Sequence, residues 1–148
     1  MKWLLDSNVV SEPVREKPNS AVVNWLAAKP KGETAISVVT LAELRDGAAS
    51  ARDERKRQQL TSWIESEITQ FFEDNTLALS LDILLDWLAL SRKLRRSGHT
   101  RDPADLLIAA TARVHSLTLV SRNTRHFAGT GVVVYDPWSD ELHRTELA

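Results

Sequence analysis

Residues 2–12 read KWLLDSNVVSE, in which a short run over residues 2–5, apolar from Trp3 onward, ends at Asp6. An uninterrupted apolar run is typical of a strand buried on both faces of a parallel sheet, because a half-exposed strand alternates apolar and polar residues. Similar runs recur at residues 34–37, 76–80, 117–121 and 132–135. The sequence therefore predicts a parallel sheet whose first strand brings Asp6 to its carboxyl end.

The stretches between these runs show helical periodicity. Between Leu60 and Phe72 the apolar residues fall on one helical face at a spacing of about 3.6 residues. A second helix is predicted from about Asp82 to Arg96, where the density of Leu and Trp indicates burial on more than one side. Alternating strands and helices predict the α/β class, as a three-layer α/β/α sandwich with a central parallel sheet.

Composition indicates a single domain. The chain has 148 residues, and 43% hydrophobic content is ample for one core. We expect this domain to span residues 1–138, followed by a C-terminal tail over residues 139–148 that carries charge but little periodicity. The net charge of -1 neither requires nor excludes a nucleic-acid partner, since the distribution of charge matters more than its sum.

Several function classes are excluded by residue usage. The chain has no Cys, which removes disulfides, thiolate nucleophiles and zinc-thiolate sites. Only three apolar residues precede Asp6, so we expect no signal peptide. No uncharged stretch approaches the roughly 18 apolar residues of a membrane helix. These observations predict a cytoplasmic protein without a membrane partner.

Four polar residues stand inside apolar surroundings, where a strand or helix starts or stops: Asp6, Glu43, Asp105 and Asn123. Ligands in parallel sheets bind beyond the carboxyl ends of the strands, so a fold of this class would gather three carboxylates and one amide there. Clustered carboxylates cannot all stay ionised unless a cation neutralises them. Oxygen ligands alone favour Mg²⁺ or Mn²⁺, and such ions commonly serve phosphate-ester chemistry.

The motifs around these residues resemble a PIN-domain ribonuclease, specifically the VapC-like (FitB-like) toxins of type II toxin–antitoxin pairs. The resemblance covers roughly residues 1–138 and is carried, in order, by LLDSNVVSE (4–12), TLAEL (40–44), DLLIAATA (105–112), LTLVSRNTRHF (117–127) and VVVYDP (132–137). Any one of these motifs is weak evidence, whereas their order and spacing together are specific.

The resemblance implies that Asp6, Glu43 and Asp105 bind Mg²⁺ or Mn²⁺ and that Asn123 belongs to the same catalytic site. It implies hydrolysis of RNA to 3′-hydroxyl and 5′-phosphate ends. It also implies a homodimer, a cognate antitoxin that blocks the active site, and contact with DNA only through that antitoxin.

Each acid also has a structural interpretation. Asp6 precedes Ser7 and suits a helix cap, although an acid that ends an apolar strand is costly without a partner. Glu43 lies in a helix, where a Glu is more often simply solvated. Around Asp105, Asp102 and Pro103 form a cap followed by proline, and we expect Asp102 to cap the helix while Asp105 faces the metal.

Two positions depart from the family pattern. Asn123 stands where many PIN domains have a fourth acid, and an amide supplies hydrogen bonds but no charge. His126 stands at the acid of the usual RNxRDF pattern, and we interpret it, like the other His residues, as a surface or packing residue, although it alone of the four lies near the presumed site. Basic residues approach these positions and are candidates for RNA phosphate contacts: Arg92, Lys93, Arg95, Arg96, Arg101, Arg122 and Arg125.

The rival hypothesis is a binding module, a weakly active or inactive PIN-domain partner in a DNA-binding regulatory toxin–antitoxin complex. In this hypothesis the amide of Asn123, in place of an acid, accounts for the loss of nuclease activity. A small-molecule phosphatase is a third hypothesis, disfavoured because Asn8 stands where a DxD phosphatase has its second acid.

Overall fold

The computed structural model describes residues 1–147. The strands are β1 (Trp3–Leu5), β2 (Thr34–Ser37), β3 (Thr76–Leu77), β4 (Thr118–Val120), β5 (Val133–Asp136) and β6 (Glu141–Arg144). The α-helices are α1 (Ser7–Ser11), α2 (Ser20–Ala27), α3 (Val38–Ala49), α4 (Glu54–Trp63), α5 (Thr69–Phe71), α6 (Leu81–Arg96) and α7 (Pro103–Val114). Short 3₁₀ turns cover Glu12–Val14 and Thr124–Phe127, and a π-helical turn covers Ile64–Ile68.

The sheet has the order β3-β2-β1-β4-β5-β6, and its first five strands run parallel. In register, Leu4 of β1 lies opposite Ala35 of β2 and Leu119 of β4. The chain thus winds outward from β1 in both directions, which places a switch point between β1 and β4. The predicted parallel sheet is confirmed.

Helices cover both faces of this sheet. Leu4 packs in a core with Ile83 of α6 and Ile108 of α7, whereas its neighbour Leu5 packs on the other face with Val9 and Val22. Successive side chains of a strand point to opposite faces, so these two cores define three layers. The predicted α/β/α sandwich is confirmed. No helix within residues 1–147 combines the length and apolar character needed to cross a bilayer.

Two elements differ from the sequence-based expectation. Residues 141–144, placed in the C-terminal tail, form β6 and pair antiparallel with β5 through a turn in which Asp140 has φ 58°. The helix predicted from Leu60 to Phe72 is interrupted by the π-helical turn, where Thr69 Oγ1 donates to the carbonyl of Ile64 at 2.9 Å. The turn keeps Ile64 and Ile68 buried in the core.

Three helices next to the sheet begin with a side-chain cap. Asp6 caps α1, Ser37 caps α3 and Asp102 caps α7, so three helices start beside one edge of the sheet. Each cap satisfies backbone N–H groups that have no partner within the helix. The Asp6 N–H also donates to the Val120 carbonyl at 2.9 Å, which ties the end of β1 to the end of β4. The candidate site is built at this edge.

Candidate active site

Asp6 is both a helix cap and a buried acid. Its Oδ1 accepts from the Ser7 N–H at 2.8 Å, while its Oδ2 accepts from Ser121 Oγ at 2.7 Å and from Asn8 Nδ2 at 3.2 Å. The residue is 5% exposed. Burial raises the pKa of the Asp6 carboxyl, and the hydrogen bond from Ser121 is the strongest opposing influence. Asp6 is therefore a helix cap and a buried acid at once, and its role as a metal ligand stays a prediction.

Ser121 links the ends of β1 and β4. This fully buried hydroxyl donates to Asp6 and accepts from the Asn123 N–H at 3.0 Å and from Asn8 Nδ2 at 3.2 Å. Asn8 Oδ1 in turn accepts from the Arg122 N–H at 3.3 Å. Sequence reasoning missed Ser121, although a Ser that ends a buried strand adjacent to the Asp6 strand was an available signal.

Glu43 approaches the same edge from α3. The residue as a whole is exposed, yet partial desolvation of its carboxyl group raises the pKa to about 7. Repulsion from Asp6, Asp105 and Asp102 adds to this rise, in that order. Glu43 therefore lies within the electrostatic field of the other acids, as the hypothesis of a shared site requires.

Asp102 and Asp105 play different structural parts at the start of α7. Asp102 Oδ1 accepts from the N–H groups of Ala104 at 2.8 Å and Asp105 at 3.4 Å, which is the expected cap. The Asp105 carboxylate instead faces His126, whose Nδ1 lies 3.2 Å from Oδ2. Burial raises the pKa of Asp105, repulsion from Asp6 adds to the rise, and His126 counteracts it. Asp105 in α7 thus lies within the electrostatic influence of Asp6, which follows β1.

Asn123 and His126 lie in the segment that follows β4. Asn123 is exposed and is connected to the site through its backbone N–H, which donates to Ser121. His126 is one 3₁₀ turn further and reaches Asp105. The interpretation of His126 as an ordinary surface or packing residue overlooked this contact. The spacing of His126 from Asn123 was the only feature of the sequence that pointed to this contact.

The donor set fits a hard divalent cation. Within residues 1–147 no group of three or more His, Asp or Glu side chains is preassembled to hold a metal ion. Asp6, Glu43 and Asp105 nevertheless carry raised pKa values, and repulsion among them is one of the causes for Glu43 and Asp105. A hydrated Mg²⁺ or Mn²⁺ needs few protein ligands and removes this repulsion. These residues therefore suit an ion that keeps several of its own waters.

Two of the basic residues near the site are held in place. Arg101 Nε donates to the Ala128 carbonyl at 3.3 Å. The Arg122 guanidinium lies 5.4 Å from the centre of the Trp138 ring, within cation–π range. Held guanidinium groups beside an acidic site are suited to phosphate contacts, because little side-chain freedom is lost when an anion binds.

The chain belongs to the PIN domain family, which it matches over residues 3–132. Toxin FitB of Neisseria gonorrhoeae is 36% identical over 137 residues, which cover 93% of this chain and 99% of FitB. The VapC ribonuclease Y4jK of Sinorhizobium fredii is 31% identical over 135 residues, which cover 91% of this chain and 96% of that protein. The resemblance carried by the sequence motifs is confirmed.

Solved structures agree with these relatives. In the structure of FitAB bound to an IR36 DNA fragment, one chain matches with a TM-score of 0.87 and 34% identity, covering 96% of this chain and 99% of that chain. A toxin–antitoxin complex from Klebsiella pneumoniae matches with a TM-score of 0.65 and 27% identity, covering 92% of this chain and 98% of that chain. The likeness therefore extends over the whole sandwich.

Proposed function

We propose that this chain is a metal-dependent endoribonuclease, the toxin of a type II toxin–antitoxin pair, and that it hydrolyses RNA phosphodiester bonds. The observation that carries the proposal is the electrostatic coupling of Asp6, Glu43 and Asp105, which come from three separate parts of the sequence. A cation that binds among these carboxylates would relieve the repulsion that raises the pKa of Glu43 and Asp105. The similarity to FitB and to a VapC ribonuclease supports the same chemistry.

In this proposal Asp6, Glu43 and Asp105 hold Mg²⁺ or Mn²⁺. The bound ion supplies a water of lowered pKa as the nucleophile and positive charge for the phosphate. Ser121 and Asn8 orient the Asp6 carboxylate through their hydrogen bonds, and His126 orients that of Asp105. Asn123 contributes an amide for a water or a phosphate oxygen, and Arg122 contributes a fixed positive charge. The products carry 3′-hydroxyl and 5′-phosphate ends.

The proposed partners are RNA as substrate, a cognate antitoxin that covers the site, and a second copy of this chain. DNA contact is assigned to the antitoxin in this proposal, and the matched structure of FitAB bound to an IR36 DNA fragment is consistent with DNA binding by the complex. We propose that the protein acts in the cytoplasm, where RNA substrates are available.

The experiment is an RNA cleavage assay with purified, antitoxin-free protein. We expect Mn²⁺ or Mg²⁺ to support cleavage of a varied RNA pool, chelator to abolish it, and small phosphate esters to remain intact. Asp6→Asn should remove cleavage, whereas Asp74→Asn, a change at an exposed acid on the loop before β3, should not. End mapping should find 5′-phosphates.

The second candidate function, an inactive regulatory partner, is favoured by one observation. Asn123 stands where many PIN domains have a fourth acid, and His126 stands at the acid of the RNxRDF pattern, so the site carries less negative charge for a second ion. If the RNA pool stays intact with Mn²⁺ present while the protein still binds an antitoxin, this candidate replaces the nuclease proposal.

A further inference from the structure

A cleft lies between the 3₁₀ turn that follows β4 and the C-terminal strand β6. Its volume is about 280 Å³, and one wall comes from residues within 124–129 while the other comes from residues 143–146. The PIN domain match ends at residue 132, so the second wall lies outside the part of the chain that defines the family. Family membership therefore assigns no role to this cleft.

Both walls of the cleft are held by contacts within the chain. On the first wall, Arg101 Nε donates to the Ala128 carbonyl at 3.3 Å. On the second wall, β6 pairs with β5, and the Thr145 N–H and Oγ1 both donate to the Val132 carbonyl, at 3.2 and 2.6 Å. A cleft with fixed walls binds a ligand at a smaller entropic cost than a mobile one.

The charged side chains of the cleft favour an anion. Arg125 and Arg144 are exposed, one on each wall, and neither forms an ion pair with an acid among residues 1–147. The imidazole of His143 has its own acidic neighbour, Glu141, at 3.5 Å. Glu146 is the acid among the lining residues. Two guanidinium groups against one carboxylate leave a positive charge, and guanidinium groups bind phosphate oxygens in bidentate geometry.

The cleft adjoins the candidate active site. Arg125 is next in sequence to His126, whose Nδ1 lies 3.2 Å from Asp105 Oδ2. A nucleic-acid strand carries one phosphate per nucleotide, so a strand that crosses the acidic site also brings a phosphate to the neighbouring surface. An acidic peptide would match the same two arginines, but the proposed cleavage of RNA places a polyanion at this edge of the protein.

We propose that this cleft is a phosphate subsite for the RNA substrate, in which Arg125 and Arg144 bind the backbone of a nucleotide that flanks the cleaved bond. The inference rests on the proposed function, because it concerns the substrate of the same site. Phosphate contacts fix the position of a strand without reading its bases. The subsite therefore contributes affinity that does not depend on base sequence.

The first test measures RNA binding without cleavage. The full chain carries Asp6→Asn, Mg²⁺ is present, and fluorescence anisotropy follows a labelled single-stranded RNA of about ten nucleotides over a series of salt concentrations. Arg125→Gln and Arg144→Gln should each reduce the slope of log K against log salt by about 0.7, as expected for one lost phosphate contact. From a reference of about 1 M salt, this slope corresponds to about fourfold weaker binding at about 0.15 M.

The matched control for the arginine variants is Arg55→Gln. Arg55 is exposed on α4, away from the cleft, and the substitution removes the same charge. The slope should stay at the value of the Asp6→Asn parent. Circular dichroism checks that all variants are folded.

The second test expects a change in the opposite direction. Glu146→Gln removes the carboxylate from the cleft and should strengthen RNA binding in the same assay. Glu73→Gln makes the same change in net charge at an exposed position after α5 and should leave binding unchanged. A difference between these two variants requires that the phosphate lies near Glu146, because a general effect of net charge would be equal in both.

Arg125→Gln and Arg144→Gln variants that bind RNA like the parent, with the same salt dependence, would overturn the inference and leave the nuclease proposal intact. Equal strengthening by Glu146→Gln and Glu73→Gln would also overturn it. A wild-type chain that binds RNA through these arginines yet leaves it uncleaved with Mn²⁺ would overturn the nuclease proposal alone. A chain that binds no RNA would overturn both.

Discussion

The candidate site has two halves in which the carboxylates have different surroundings. Around Asp6, three donors from Ser7, Asn8 and Ser121 point at one buried carboxylate. Around Glu43, by contrast, the groups that change the pKa are other acids, and Asp105 has His126 as its single side-chain hydrogen-bond partner. The fold thus surrounds the first acid with hydrogen-bond donors and compensates the negative charge of Glu43 and Asp105 less. This difference indicates that Asp6 is prepositioned, whereas in the proposed function Glu43 and Asp105 rely on the bound ion.

The largest expected effect separates Asp105 from Asp102. Asp105→Asn should reduce RNA cleavage by more than the roughly 10–100-fold typical for partners that only orient a metal ligand. Asp102→Asn should leave cleavage largely intact, because Asn caps a helix about as well as Asp. Initial rates of cleavage with Mn²⁺ measure both. An inactive Asp102→Asn beside a fully active Asp105→Asn would place the third ligand one helical turn away.

The next effect is stabilisation by metal. At about a hundredfold excess over Kd, a ligand of the native state contributes roughly 2.7 kcal/mol to the free energy of unfolding. We therefore expect Mn²⁺ or Mg²⁺ to raise the melting temperature clearly. Glu43→Gln and Asp105→Asn should lose this rise, and Glu73→Gln, at an exposed position after α5, should keep it. A wild-type melting temperature that stays unchanged in millimolar Mn²⁺ would contradict the proposed metal site.

A smaller effect is expected in the compensated half. Ser121→Ala removes a 2.7 Å hydrogen bond to the Asp6 carboxylate and should lower the free energy of unfolding by about 1.5–3 kcal/mol. Ser66→Ala is the matched control, because Ser66 Oγ donates to a carbonyl on an exposed helix turn. Urea unfolding without metal measures both. Equal losses in the two variants would show that Asp6 does not depend on Ser121.

The smallest effect is a pH dependence of the metal-free protein. The pKa of Glu43 is raised from 4.5 to about 7, so the native state binds more protons than the unfolded state between these values. Stability should therefore fall as pH rises from about 4.5 to 7, because the slope follows the difference in bound protons. Glu43→Gln should flatten the curve. Unfolding midpoints at several pH values, with chelator present, measure the slope, and a rising curve would contradict the raised pKa that desolvation and the neighbouring acids give Glu43.

Much of the fold was predictable because buried strands and amphipathic helices leave periodic patterns. The runs at residues 2–5, 34–37, 76–80 and 117–121 each contain a strand of the sheet, and the run at residues 132–135 overlaps β5. The strand β6 was not predicted, since an edge strand with one solvated face has a weak pattern and depends on the turn before it. Asp6, Glu43, Asp105 and Asn123 were named from their positions at element ends, and their catalytic roles remain predictions.

The contacts of Ser121 and His126 were not predictable in the same way. Ser121 reaches Asp6 across more than a hundred residues of sequence, and His126 reaches Asp105 from a different element. Periodicity describes one element at a time, so it carries no information on which side chains meet between elements. The π-helical turn was missed for a related reason, because one extra residue in a turn barely changes the apolar pattern.

The hydrogen bonds that join β1 to β4 also make the site a reporter of local opening. The Asp6 N–H donates to the Val120 carbonyl, and the Ser121 hydroxyl donates to the Asp6 side chain next to this bond. The Asp6 amide should therefore exchange its hydrogen with solvent only when the centre of the sheet opens, on the slow timescale of the core. The hydrogen-exchange rate of this one amide then reports how readily the acidic site opens, without any substrate or metal being added.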